Sequence, residues 1–155
     1  MVAFDRTGAE IFRKRGHADT VDIEPSELRR LRGSVLTHNH PGGVTHGPPS
    51  LRGLSFSGSD VRTAATARVA ELRAITTGWR YSLRPPSGGW NYDWWLTVLE
   101  PTRIAARGGA LADLMPRMQR SELTRAEVNG LVDHEVWVRV ARTLGMQYTR
   151  TRVRP

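Results

Sequence analysis

The run Ser34-Val35-Leu36-Thr37-His38 constrains this chain more than any other segment. It is short, apolar and rich in β-formers, follows directly on Gly33, and passes straight into His40-Pro41-Gly42-Gly43. It therefore reads as a buried strand that delivers the chain to a loop. Residues 2–16 read as a β-hairpin, with Val2, Ala3 and Phe4 leading into the turn Asp5-Arg6-Thr7-Gly8 and Ile11 and Phe12 continuing after it. Behind Pro25 and Ser26, Leu28 and Leu31 stand at helical spacing, a short helix closed by Gly33.

Residues 41–56 are rich in Gly, Pro and Ser, a long loop of the kind that forms a lid or a site wall. From Ser57 the pattern turns helical: Ser57 caps, Asp60 falls in the first turn, and Val61, Ala64, Ala65, Val69, Leu72 and Ile75 make an apolar stripe that ends near Gly78. Arg80 to Leu83 and Trp90 to Leu99 read as two strands joined by Pro85-Pro86-Ser87-Gly88-Gly89, with Trp90, Tyr92, Trp94 and Trp95 on one face. That face packs on the core or, with Arg80 and Arg84 nearby, stacks nucleic-acid bases. The last third reads as helical, with Thr124 and Glu127 as a capping box and Asp133 capping a helix whose Val136, Trp137, Val140, Ala141 and Leu144 face inward before Gly145. The sum is an α/β fold, a mixed sheet with flanking helices and a helical C-terminal third, in one domain over 1–155.

Composition removes several chemistries. With no cysteine there is no disulfide framework, no Cys-type zinc site, no iron–sulfur cluster and no thiol nucleophile, so a metal must be held by His, Asp or Glu. The apolar stretches fall far short of the roughly 20 residues needed to cross a bilayer, and no basic-plus-apolar leader precedes residue 20; both point to the cytoplasm and away from membranes. The net charge of +8 suggests an acidic partner such as nucleic acid. All basic residues except Lys14 are Arg, however, and they are spread along the chain, which equally fits a genomic base-composition bias.

The chemistry lies in Thr37-His38-Asn39-His40-Pro41-Gly42 and Ser57-Gly58-Ser59-Asp60. Alternate side chains of an extended segment share a face, so His38 and His40 project together toward one ion. Asp60 can add an oxygen ligand, with His46 as a third imidazole in its place. Two His and one carboxylate leave the fourth position of a tetrahedral Zn²⁺ open for water, whose pKa the metal lowers toward about 7. Ser-x-x-Asp at a helix start is also an ordinary capping pattern, and the two readings are compatible. His17 reads as a solvated turn residue. His134-Glu135-Val136-Trp137-Val138 begins like a His-Glu-x-x-His zinc helix but has Val138 where the second His must be, which leaves His134 as a surface residue.

His-x-His-Pro followed by Ser-x-x-Asp resembles the core of the JAMM (MPN-plus) metallopeptidases, and His38-Asn39-His40-Pro41-x-Gly is especially similar to their bacterial RadC branch. The resemblance implies a JAMM/cytidine-deaminase-like α/β architecture with the metal-site core at 2–84 and the hairpin and C-terminal helices at 85–155. It also implies zinc on His38, His40 and Asp60, Ser57 at the oxyanion, an upstream glutamate activating water, and a protein or peptide substrate cleaved at a peptide or isopeptide bond. Glu10, on the second strand of the hairpin, is the first candidate for that glutamate, because a strand paired near Val35 to His38 could aim it at the water. Glu24 and Glu27 lie in or beside the short helix. Glu71, on the expected helix with Asp60, would stand about 16 Å along its axis. The stretch 41–59 is longer than the JAMM pattern usually has, the excess falling in Val44 through Leu54. The runs Thr37 to Gly43 and Ser55 to Asp60, with Glu71-Leu72-Arg73 and Tyr81-Ser82-Leu83, also resemble a domain at the C-terminal end of Mu-F-like phage head-morphogenesis proteins. The expected function is a JAMM-like zinc hydrolase. The alternatives are a nucleic-acid-directed effector, toxin or phage-head module with a metal-dependent nuclease, and a non-catalytic MPN-like interaction domain.

Overall fold

In the computed structural model, which describes residues 1–17, 21–40, 55–76 and 78–153, a six-stranded mixed sheet runs in the order β2-β1-β3-β4-β5-β6. The expected hairpin forms its first edge: β1 (Val2–Phe4) pairs antiparallel with β2 (Glu10–Arg13), and β1 pairs antiparallel with β3 (Val35–Asn39). The Asp5 carboxylate accepts from the Thr7 and Ala9 amides and closes the turn. A short helix, α1 (Pro25–Leu28), tightens into a 3₁₀ turn over Arg29–Leu31 and ends at Gly33, whose φ of +70° favours glycine.

β3 pairs in parallel with β4 (Glu71–Ile75), so the chain between them must cross back over the sheet, and α2 (Gly58–Ala67) lies on that crossover. β5 (Trp79–Arg84) and β6 (Gln147–Arg152) complete the sheet in antiparallel pairs. A helical stretch runs from α3 (Tyr92–Trp94) through a π-helical turn at Trp95–Leu99 into α4 (Glu100–Gln119), and α5 (Arg125–Leu144) packs against it. Long-range register sets the buried face. Ala3, Leu36, Leu72 and Leu83 stand side by side across four strands, and His38, Ala74 and Tyr81 form the next row. Val61, Ala64 and Ala65 of α2 and Val136, Trp137 and Val140 of α5 belong to the same buried cluster.

Four expectations are corrected. The helix from Ser57 stops at Ala67, and Arg68 turns the chain in the left-handed region with φ 54°. Residues 69–75 carry apolar side chains at both helical and alternating spacing, and backbone pairing with β3 decides for a strand, leaving Ile75 40% exposed. The segment expected as a strand over 90–99 is helical from Tyr92 to Leu99. Asn91 caps it by accepting from the Trp94 amide, and the buried Trp90 is held by donating Nε1–H to the Val69 carbonyl at 2.7 Å. Asp133 lies inside α5, whose cap is Thr124, paired reciprocally with Glu127 as the sequence suggests. Strand β6 was not expected. Its Gln-Tyr-Thr-Arg-Thr-Arg sequence has no aliphatic residue, and its place is set by pairing with β5. The long loop and His46 lie outside the described residues. No helix among the described residues is long and apolar enough to cross a membrane.

On the opposite sheet face Glu71 is 4% exposed and bound by Arg73, Ser82 and Arg84, at 2.6, 2.7 and 2.8 Å. Burial pushes its carboxyl up, but these donors outweigh burial and hold it at about 2. A folded-state pKa below the unfolded value of about 4.5 adds stability that is full above that value and is lost as pH falls toward 2. Glu71→Gln should therefore cost about 2–3 kcal/mol at neutral pH, by the free energy of such a shift. In denaturant titrations of both proteins that difference should shrink steadily as pH is lowered from 4.5 toward 2.

Candidate metal centre

β3 delivers His38 to the sheet's core-facing side, in the row of Ala74, and the chain continues one more step so that the His40 amide donates to the Ile75 carbonyl at 3.0 Å. The pleat then turns both imidazoles the same way, as their spacing predicts. Their Nε2 atoms stand 2.8 Å apart, one donating to the other, and the rings lie 4.7 Å apart centre to centre. Asp60, in the first turn of α2, meets both: Oδ1 is 3.4 Å from Nε2 of His38 and Oδ2 is 3.4 Å from Nε2 of His40. One donor atom from each residue lies within 4.8 Å of the other two. His38 is 8% exposed, and the side chains of His40 and Asp60 are about one-fifth exposed.

The helix start explains why Asp60 is there. Ser57 Oγ accepts from the Asp60 amide, while the Asp60 carboxylate accepts from the Ser57 amide and hydroxyl, both at 2.7 Å. This reciprocal cap fixes the carboxylate's rotation. Phe56, just before the cap, is 1% exposed and sits among His38, Tyr81, Trp137 and Tyr148, with ring centres 6.3–6.4 Å away. Trp137 Nε1–H donates to the Phe56 carbonyl at 2.7 Å. The first turn of α2 is thus pinned to α5 and to β3 at one point. Burial pushes the Asp60 carboxyl up, yet hydrogen bonds from His38, His40 and Ser57 hold it far below the carboxylate range, so it is an anion at every ordinary pH.

The donor set fits a borderline-soft divalent cation. Zinc takes imidazole nitrogen at about 2.0–2.1 Å, so neighbouring ligands of a tetrahedral site stand about 3.3 Å apart. Each 3.4 Å spacing matches that value, one to each Asp60 oxygen, so a single carboxylate ligand and the 2.8 Å imidazole pair both need to shift slightly. His38 Nδ1 is buried without a hydrogen-bond partner among the described residues.

Ser57 is beside the triad as expected, its hydroxyl committed to Asp60. Glu10 is not. β1 intervenes between β2 and β3, so the expected direct pairing is absent, and Glu10 pairs opposite Phe4, whose β3 partner is Val35, at the end of the strand away from His38. It is exposed and bound to Arg13, whose Nε donates to it at 2.8 Å. Glu71 stands on a strand and serves the opposite sheet face. His17 is exposed as expected, whereas His134 is half-buried, with Nδ1 2.9 Å from the Tyr148 hydroxyl.

Two groups near the triad escaped the sequence reading. Asp133 of α5 is close enough for His40 to act on its titration. Burial raises its carboxyl above the usual value, and Arg107, Arg103 and His40 partly offset this. Arg107 Nη1 donates to it at 3.1 Å. Arg103 packs against Gly58, where a Cβ would meet its Nε at 3.2 Å. Gly58 directly after the cap was the only trace of this, and without the helix packing it could not be read. No family model, curated protein or solved structure matches the chain.

Removing the Ser57 hydroxyl frees the Asp60 carboxylate to rotate. Ser57→Ala should weaken zinc binding by roughly tenfold or more, as loss of an orienting partner does. The lost cap should cost about 1 kcal/mol. Competitive chelator titration and thermal melts check both, and Ser57→Thr should restore both.

Proposed function

We propose that the protein is a zinc-dependent hydrolase of the JAMM type that cleaves a peptide or isopeptide bond. The observation that carries this reading is the convergence of His38, His40 and Asp60, two imidazoles and an anionic carboxylate, in a cleft at the C-terminal end of a strand of a parallel pair. The resemblance of His-x-His-Pro and Ser-x-x-Asp to the JAMM core supports it, as does a mixed sheet in which a His-bearing strand and a capped helix meet.

When bound, zinc would supply Lewis acidity and a water of lowered pKa. The chain's own residues supply the rest. His38 and His40 present nitrogen lone pairs from a rigid strand and Asp60 adds the negative charge. Ser57 holds the Asp60 carboxylate through its hydroxyl and amide, and in this reading its hydroxyl would leave Asp60 to serve a developing oxyanion. Asp133, a carboxyl that burial raises above its usual value and that Arg107 binds, is the proton acceptor of this reading in place of Glu10.

The test is to incubate zinc-loaded protein with a mixed protein lysate and identify newly exposed α- and ε-amino groups by mass spectrometry. The reading predicts new amino groups that appear with the zinc-loaded protein and are absent with His38→Ala and with Asp60→Ala. Asp133→Asn should lower their rate of appearance by roughly 100-fold or more, the weight of a general base, while Glu10→Gln leaves it unchanged. Cleavage that persists in metal-free protein or in His38→Ala, or the absence of any zinc-dependent cleavage, contradicts it.

A further inference from the structure

We propose that the cleft beside the metal centre is a binding site for acidic polypeptide, a substrate class that rests on the hydrolase reading above. The cleft, of about 1300 Å³, contains the triad and continues to Arg13, Lys14 and Arg15 at the end of β2, and to Arg62, two residues beyond Asp60 on α2. Against these four cations its described lining offers two carboxylates, Asp22 and Asp60, and Asp60 is already engaged by the histidines.

Not all four cations are available. Arg13 is bound to Glu10, and Lys14 Nζ is 2.7 Å from Glu27. Arg15 and Arg62 are both exposed, and neither has a carboxylate partner among the described residues; Arg62 lies over the Trp95 ring at 5.9 Å. Two guanidiniums on different elements of one cleft, each with donors to spare, suit carboxylates spaced along an extended chain that passes the metal centre.

The remaining lining separates polypeptide from nucleic acid. Single-stranded nucleic acid is held by aromatic platforms that stack its bases. The described lining contains no Phe, Tyr or Trp, and its apolar part is Met1, Val2, Val21, Ile23 and Leu72. Aliphatic surface beside arginine suits a peptide of acidic and small apolar side chains better than a sugar–phosphate chain.

Fluorescence anisotropy of labelled probes with the full chain tests this. The probes are a peptide of alternating glutamate and alanine, the same peptide with glutamine for glutamate, and an oligothymidylate of equal length. At low salt the glutamate peptide should bind roughly tenfold more tightly than the glutamine peptide, and high salt should erase the difference by screening. The double variant Arg15→Glu, Arg62→Glu should also erase it, with circular dichroism and zinc content unchanged. Equal binding of the two peptides, undiminished binding by the double variant, or tighter binding of the oligothymidylate would overturn the assignment, the last giving the cleft to nucleic acid. The same titration on His38→Ala separates this inference from the hydrolase reading. Glutamate selectivity that survives loss of the metal supports the cleft assignment by itself. Zinc-dependent cleavage without that selectivity keeps the hydrolase and removes the acidic substrate.

Discussion

The parallel pairing of β3 with β4 is the constraint around which the rest of this molecule is arranged. Parallel neighbours cannot be joined by a tight turn, so the chain leaving β3 must travel the length of the sheet before β4 begins. That return journey places α2 on the core-facing side and sets its first turn against the C-terminal end of β3. Without the parallel pair, His38 and Asp60 would belong to distant parts of the chain. With it, His38 Nε2 and an Asp60 carboxylate oxygen meet at 3.4 Å, between a strand end and a helix start.

The precision of that meeting comes from packing rather than from charge. Phe56 fills the space among His38, Tyr81, Trp137 and Tyr148, and its carbonyl is fixed by the Trp137 indole. Ser57 and Asp60 follow immediately, so the aromatic cluster sets the height of the carboxylate and the capping box sets its rotation. The arrangement concentrates polar groups that would otherwise repel. The two imidazole Nε2 atoms stand 2.8 Å apart, beside a carboxylate held in its anionic form. Such a cluster could hold one metal ion.

Much of this was legible in the residues, because the signals were local. The hairpin turn at Asp5 to Gly8, the strand ending in His-x-His, the Ser57 and Thr124 caps and the Gly145 terminus all depend on contacts within a few residues. What was not legible depended on partners far away in sequence. Residues 69–75 satisfy two periodicities and became a strand because β3 offered its backbone. Tyr92 to Leu99 became helical on the strength of the Asn91 cap and the anchoring of Trp90 on Val69. β6 carries Tyr, Thr and Arg where an apolar face would have announced it. Asp133 was legible as a capping residue and not as a neighbour of His40, because the helix containing it begins eight positions earlier at Arg125. Glu10 was assigned by assuming that the second strand of the hairpin meets β3, whereas the first one does.

The central claim is that His38, His40 and Asp60 hold one cation together, and X-ray absorption at the zinc edge of the zinc-loaded protein tests it most directly. The account predicts a four-coordinate first shell of nitrogen and oxygen at about 2.0 Å, with outer-shell scattering from two imidazole rings that disappears in His38→Ala. A six-coordinate shell of oxygen alone, or a spectrum indifferent to that substitution, would contradict it.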